Sequence, residues 1–148
     1  PVICVGNHVM GGAGKTPTVL ALLEPLRQLG HIPHILSRGY GGSIHSTPHR
    51  VDPQKDTAQQ VGDEPLLLAR GAPTWVCTDR AAAAQCAIAA GATILVMDDG
   101  LQNPALYKDI SLLVIDGSDH HNNYVFPAGP LRESLEDAIR RVQAVLVL

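Results

Sequence analysis

The segment Gly11-Gly12-Ala13-Gly14-Lys15-Thr16 combines what triphosphate chemistry asks of a loop. Closely spaced glycines let the backbone curl so that successive N–H groups face one anion. A lysine and a hydroxyl then open an apolar helical pattern, whose N-terminus adds partial positive charge. In that setting Lys15 reaches the β- and γ-phosphates and the Thr16 hydroxyl ligates Mg2+. The expected cofactors are ATP and Mg2+, with residues 11–16 as the nucleotide site. The strict pattern places a glycine five residues before Gly14, and this chain has Val9 there. The approach to the loop must therefore differ in conformation.

Phosphoryl transfer also needs a carboxylate beside the loop to hold the metal. Asp98 and Asp99 end an apolar run, and in an open parallel sheet ligands gather at the carboxyl ends of strands. One or both are expected to serve the metal. A second acidic pair, Asp63-Glu64, lies between Gly62 and Pro65. It suits the first turn of a helix, and equally a general base or metal ligand opposite the loop; the residues alone leave both open. Arg38 and Arg132 stand in turns rich in glycine and proline, where by position alone a solvated surface charge is as good a reading as a binding role. Asp119, His120 and His121 fit no helix face, so a surface loop is expected there rather than a metal site. His31 and His34 read as structural.

These side chains need a scaffold. Short β-rich runs at 2–5, 34–37, 75–77, 93–97, 110–115 and 144–148 alternate with helical patterns at 16–29, 64–70, 79–90 and 130–142. Residues 43–60 read as a long polar loop with one short strand near Val51. Alternation of this kind predicts an α/β fold: a phosphate-loop-kinase-like αβα sandwich of three layers with a mainly parallel sheet. Residues 1–148 are expected to be one nucleotide-binding domain. The composition agrees, being 45% hydrophobic but only 3% aromatic, as Val-, Leu- and Ala-rich parallel cores are. The net charge is −3, without a basic run, so no nucleic acid partner is expected. Cys4, Cys77 and Cys86 read as reduced core thiols.

Five motifs together resemble the tetraacyldisaccharide 4'-kinase family. They are Gly6-Asn7 with residues 11–17, Ser37-Arg38-Gly39-Tyr40-Gly41-Gly42, Val61-Gly62-Asp63-Glu64-Pro65, Asp98-Asp99-Gly100-Leu101-Gln102, and Pro127-Ala128-Gly129-Pro130-Leu131-Arg132-Glu133. The resemblance implies transfer of the ATP γ-phosphate to the 4'-hydroxyl of an acylated glucosamine disaccharide 1-phosphate, giving lipid IVA in lipid A biosynthesis. It implies work at the cytoplasmic face of the bacterial inner membrane. It also implies a membrane-anchoring segment before this domain and a smaller domain after it, so that this chain is the middle part. By motif, Lys15, Thr16, Asp98 and Asp99 would serve nucleotide and metal. Asp63 would activate the acceptor hydroxyl, and Ser37, Arg38, Glu64, Arg132 and Glu133 would line the acceptor or metal site. Where the family's acidic run continues with His, this chain has Asn103.

Two other classes compete. One is a different phosphate-loop small-molecule kinase or ligase, which would not need the run from Pro127 to Glu133. The other is a nucleotide-bound switch that transfers nothing and gives Asp63 no chemical role. The dimeric deviant-loop ATPases, which carry lysine before the glycine pair, are disfavoured because that residue is Met10.

Overall fold

The computed structural model describes residues 1–11, 14–44, 46–117, 122 and 124–148. It opens with strand β1 (Val2–Gly6), followed by helix α1 (Lys15–Gln28) and β2 (Pro33–Ser37). Then come β3 (His49–Arg50), α2 (Ala58–Val61), α3 (Asp63–Leu68), β4 (Thr74–Val76), α4 (Arg80–Ala89), β5 (Ile94–Asp98), β6 (Ile110–Ile115), α5 (Leu135–Arg140) and β7 (Ala144–Val147). The seven strands form one sheet in the order β3-β4-β2-β5-β1-β6-β7. Every pairing is parallel except β3 with β4.

Two-residue periodicity divides the core between the faces. Ile3, Val5, Ile35, Ile94, Val96 and Val114 pack with Val19, Leu23 and Leu26 of α1 and Leu68 of α3. Their alternates meet the other layer: Leu36 and Leu95 pack on Ala83, Ala84 and Ala87 of α4, while Cys4, Met97 and Leu113 pack with Ala138 of α5. Because both faces are covered, the central strands are apolar without a break. The small alanines of α4 let that helix lie close to the sheet.

Local sequence sets most boundaries. Asp79 caps α4 by accepting from the N–H groups of Ala81 and Ala82 at 2.9 and 3.0 Å. Thr57 and Gln60 form a capping box that starts α2, inside what reads in sequence as loop. The helix expected over 130–142 is much shorter, since Ser134 caps it and only Leu135–Arg140 is helical. Leu131, which fits the helical spacing, instead forms bridges with Val9 and Val125. The three cysteines are free, with Cys4 and Cys77 buried; burial pushes the Cys4 thiol up to about 11. Among the described residues no helix is long and apolar enough to cross a membrane.

Candidate active site

The site forms at the carboxyl ends of β1, β2 and β5, where three loops converge. Gly14 stands at φ +75° and caps α1, a backbone state that an L side chain rarely adopts. Lys15 follows, buried, and donates to the Gly11 carbonyl at 3.0 Å. Its ammonium lies 4.0 Å from Asp99 Oδ1. Thr16 is half-buried in the first turn of α1. Gly12 and Ala13 lie outside the described residues, as do Asp119, His120 and His121. Asn7, fully buried, donates to the Gly11 carbonyl at 3.2 Å, and Gln102 donates to the Asn7 carbonyl at 3.2 Å. The approach to the loop is therefore tied to β1 and to the segment after β5.

Val9 explains how this loop manages without the expected glycine. It is buried and bridges Leu131 in antiparallel fashion. Two backbone bonds complete the pairing, Met10 N–H to the Pro130 carbonyl at 2.8 Å and Arg132 N–H to the His8 carbonyl at 2.7 Å. Residues 8–10 thus run as a miniature strand against a strap at 130–132, which needs an extended backbone and an apolar side chain rather than a glycine curl.

The strap delivers Arg132 to Asp99. The guanidinium donates to both carboxylate oxygens, at 2.8 Å to Oδ1 and 3.0 Å to Oδ2, the bidentate fork that favours this pair. Asp99 itself sits at φ 51°, a strained state for a residue with a side chain. Arg132 also reaches Gln102 Oε1 at 3.3 Å, Gln102 donates to Glu133 Oε1 at 2.9 Å, and Arg141 pairs with Glu133.

Asp98 is placed differently. It is only 2% exposed, and among the described residues its Oδ1 has no hydrogen-bond partner. Burial, then the charges of Glu64 and Asp99, push its carboxyl up to about 7, against the pull of Lys15 and Arg80. Arg80, also buried, donates to the Cys77 and Asp98 carbonyls at 3.3 Å each. The result is a buried carboxylate held near like charges, with one oxygen unpartnered among the described residues.

The third loop brings up the second acidic pair. Gly62 at φ +90° backs onto the Tyr40 carbonyl, where an added Cβ would stand 2.6 Å away. This contact packs the turn after β2 against the start of α3. Ser37 is buried at the end of β2, while Arg38, Asp63 and Glu64 are exposed. Asp63 and Glu64 occupy the first turn of α3, and the Glu64 charge bears on Asp98. Lys15, Asp98, Asp99, Arg132 and Glu133 are thus brought into one connected cluster. Glu64 joins it through its field, and Arg38 through its repulsion of Arg80. Sequence reasoning assigned no role to Asn7, Arg80 or Gln102. Asn7 and Arg80 donate to backbone carbonyls, and Gln102 bridges Asn7, Arg132 and Glu133, contacts that residue types alone do not reveal. Asn103 accepts from the Ala105 N–H at 2.8 Å and holds its own turn.

Comparison with known proteins shows the family. The tetraacyldisaccharide-1-P 4'-kinase (LpxK) family matches the chain over residues 1–148. A tetraacyldisaccharide 4'-kinase from Rhodospirillum centenum is 60% identical over all of the chain and 44% of its own length. Another, from Gluconobacter oxydans, is 56% identical over all of the chain and 45% of its own length. The chain therefore spans a little under half the length of these curated relatives. The crystal structure of an "apo" form of LpxK from Aquifex aeolicus in complex with ATP superposes with a TM-score of 0.87. It is 32% identical, across 99% of this chain and 47% of that one.

Proposed function

Because the chain belongs to the tetraacyldisaccharide-1-P 4'-kinase family, we propose that its cluster is the donor side of a kinase site. It binds ATP and passes the γ-phosphate to the 4'-hydroxyl of an acylated glucosamine disaccharide 1-phosphate. The observation that carries the reading is Lys15 at the start of α1, next to the left-handed cap Gly14 and 4.0 Å from Asp99, with Asp98 and Asp99 at the carboxyl end of β5 beside β1.

The residues fit Mg2+. A buried carboxylate oxygen without a partner among the described residues, close to other acids, is a donor of the kind a hard cation takes. Asp98 and the Thr16 hydroxyl would hold the ion; Asp99 already has both oxygens engaged by Arg132. When bound, the ion neutralises charge on the β- and γ-phosphates.

The chain's own side chains supply the rest. Lys15 draws the phosphates toward the N-terminus of α1, and the clamped Asp99 holds that lysine in place. Asp63 takes the proton of the acceptor hydroxyl as its oxygen bonds to the γ-phosphorus. The bond from that phosphorus to the β–γ bridging oxygen breaks, leaving ADP. Positioning and charge neutralisation lower the barrier most, with Asp63 accepting its proton late. Ser37, Arg38, Glu64 and Glu133 border the acceptor's path. An acylated acceptor places the reaction at a membrane surface, and we assign it to the cytoplasmic face of the inner membrane.

Titration of ATP into the full-length protein, before and after Lys15→Ala, tests the donor side. Binding weakened at least about a hundredfold is expected, from loss of a charge-assisted contact in a partly dry site. Equal affinity would remove Lys15 from the phosphates.

A further inference from the structure

Asn7 is fully buried, yet only part of its side chain is paired. Its amide nitrogen donates to the Gly11 carbonyl at 3.2 Å. Its Oδ1 is buried as well and has no hydrogen-bond partner among the described residues. Turning the amide over would not help, because Oδ1 would then face the Gly11 oxygen. For the fold alone this is a poor choice. An unpaired buried acceptor costs stability, and a leucine of the same branched shape would not. The side chain therefore asks for a reason outside folding.

That reason lies in the group it holds. Gly11 sits at φ +125°, a backbone state that L side chains rarely adopt. Its carbonyl takes two donors, Asn7 Nδ2 at 3.2 Å and Lys15 Nζ at 3.0 Å. A carbonyl in a phosphate loop is a hazard, since its partial negative charge repels the anion that backbone N–H groups attract. It must stay turned toward a donor of the protein. Lys15 is one such donor, but its ammonium has other claims on its three N–H groups. Asp99 Oδ1 lies 4.0 Å away, and in the kinase reading the β- and γ-phosphates draw it too. A neutral amide carries no such competing pull. Asn7 is itself anchored on both sides. Gln102 donates to its backbone carbonyl at 3.2 Å, and the next carbonyl, of His8, accepts from the Arg132 N–H at 2.7 Å.

We infer that Asn7 is a positioning residue for the triphosphate: it keeps the Gly11 carbonyl turned from the anion when Lys15 turns to the phosphates. The inference rests on the kinase reading above and adds to it the residue that frees the loop's lysine. It also fits a loop that has Val9 where a glycine was expected. Residues 8–10 run extended against the strap, and Asn7 reaches across that stretch to hold the first glycine beyond it.

The test is Asn7→Leu in the full-length protein, which keeps the branched shape and removes the donor. Two readouts should part. Thermal unfolding without nucleotide should give a Tm equal to or above that of the wild type, because the unpaired oxygen is gone and Lys15 still holds Gly11. ATP affinity by titration calorimetry should fall about tenfold, as expected for one hydrogen bond, with KM for the acylated acceptor unchanged. Asn7→Asp puts an acceptor where the donor was and should lose at least as much ATP affinity at pH 8. A merely structural role would lower Tm and affinity together. That outcome, wild-type ATP affinity in either variant, or failure of both to fold would overturn the inference. ATP binding by the wild type separates the two readings. If it is absent, the kinase reading fails; if it is present but indifferent to Asn7, only this inference fails.

Discussion

Replacing Asp98 with Asn should stabilise the metal-free protein at neutral pH and leave it unchanged in acid. The carboxyl is 2% exposed and stands near Glu64 and Asp99, so its charged form is disfavoured in the fold. Its pKa rises from an ordinary 3.8 to about 7. The folded state therefore holds this proton over a range in which the unfolded chain has released it. Stability from this group is complete below pH 3.8 and falls as pH rises toward 7. The interval is about three pH units at ~1.4 kcal/mol each, an upper bound of about 4 kcal/mol. Relaxation around the charge reduces this, and about 2 kcal/mol is a reasonable expectation. For a chain of this size that corresponds to a rise in Tm of about 4–8 °C at pH 8. Thermal unfolding of both proteins in EDTA, at pH 8 and pH 4.5, measures it. A variant no more stable than wild type at pH 8 would refute the idea that Asp98 is a carboxylate held ready at a cost in stability. Excess Mg2+ and ATP should narrow the gap, because they stabilise only the wild type's carboxylate.

Other perturbations act on separate parts of the fold. Gly14→Ala puts a Cβ at φ +75° and against Leu148 Cδ1, and should cost about 1–3 kcal/mol by denaturant titration as well as weakening ATP binding; an unchanged midpoint would show that the left-handed cap is not required. Asp79→Ala removes two capping bonds of α4 and should cost about 1 kcal/mol without altering ATP affinity. His34 is buried, which lowers its pKa, and it accepts a hydrogen bond from Trp75 Nε1 at 3.2 Å. A histidine held neutral stabilises the fold above its unfolded pKa near 6.5, and that stability is lost as pH falls. Trp75 fluorescence should change together with acid destabilisation, and His34→Gln should flatten the dependence below pH 6.5.

Much of this architecture is legible in the residues. Apolar runs of four to six with helical patterns between them specify a parallel sheet because both faces of each central strand must be covered. The glycine-rich turn and Asp98-Asp99 fall where the topology puts ligand chemistry. Periodicity misleads at Leu131. It matches a helical stripe with Leu135, Ala138 and Ile139, yet it serves the strap against Val9, and the helix waits for its Ser134 cap. The Ser134-x-x-Asp137 pattern was the available signal. Thr57-x-x-Gln60 likewise marked α2 within an otherwise polar loop. The Arg132–Asp99 fork left no such trace. It joins residues 33 apart through a pairing of three-residue segments, and neither segment has strand character by itself.

The central claim is that this site drives phosphoryl transfer to a lipid-linked sugar with Asp63 as base. The most direct measurement is transfer of label from γ-32P-ATP to an acylated glucosamine disaccharide 1-phosphate by the full-length protein, beside Asp63→Asn and with ATP affinity measured in parallel. The account predicts labelled 4'-phosphate from the wild type. It predicts turnover reduced by about 100-fold or more in the variant, the usual worth of a positioned general base, with ATP binding unchanged. Absence of label from the wild type, or equal turnover with and without the Asp63 carboxylate, would contradict it.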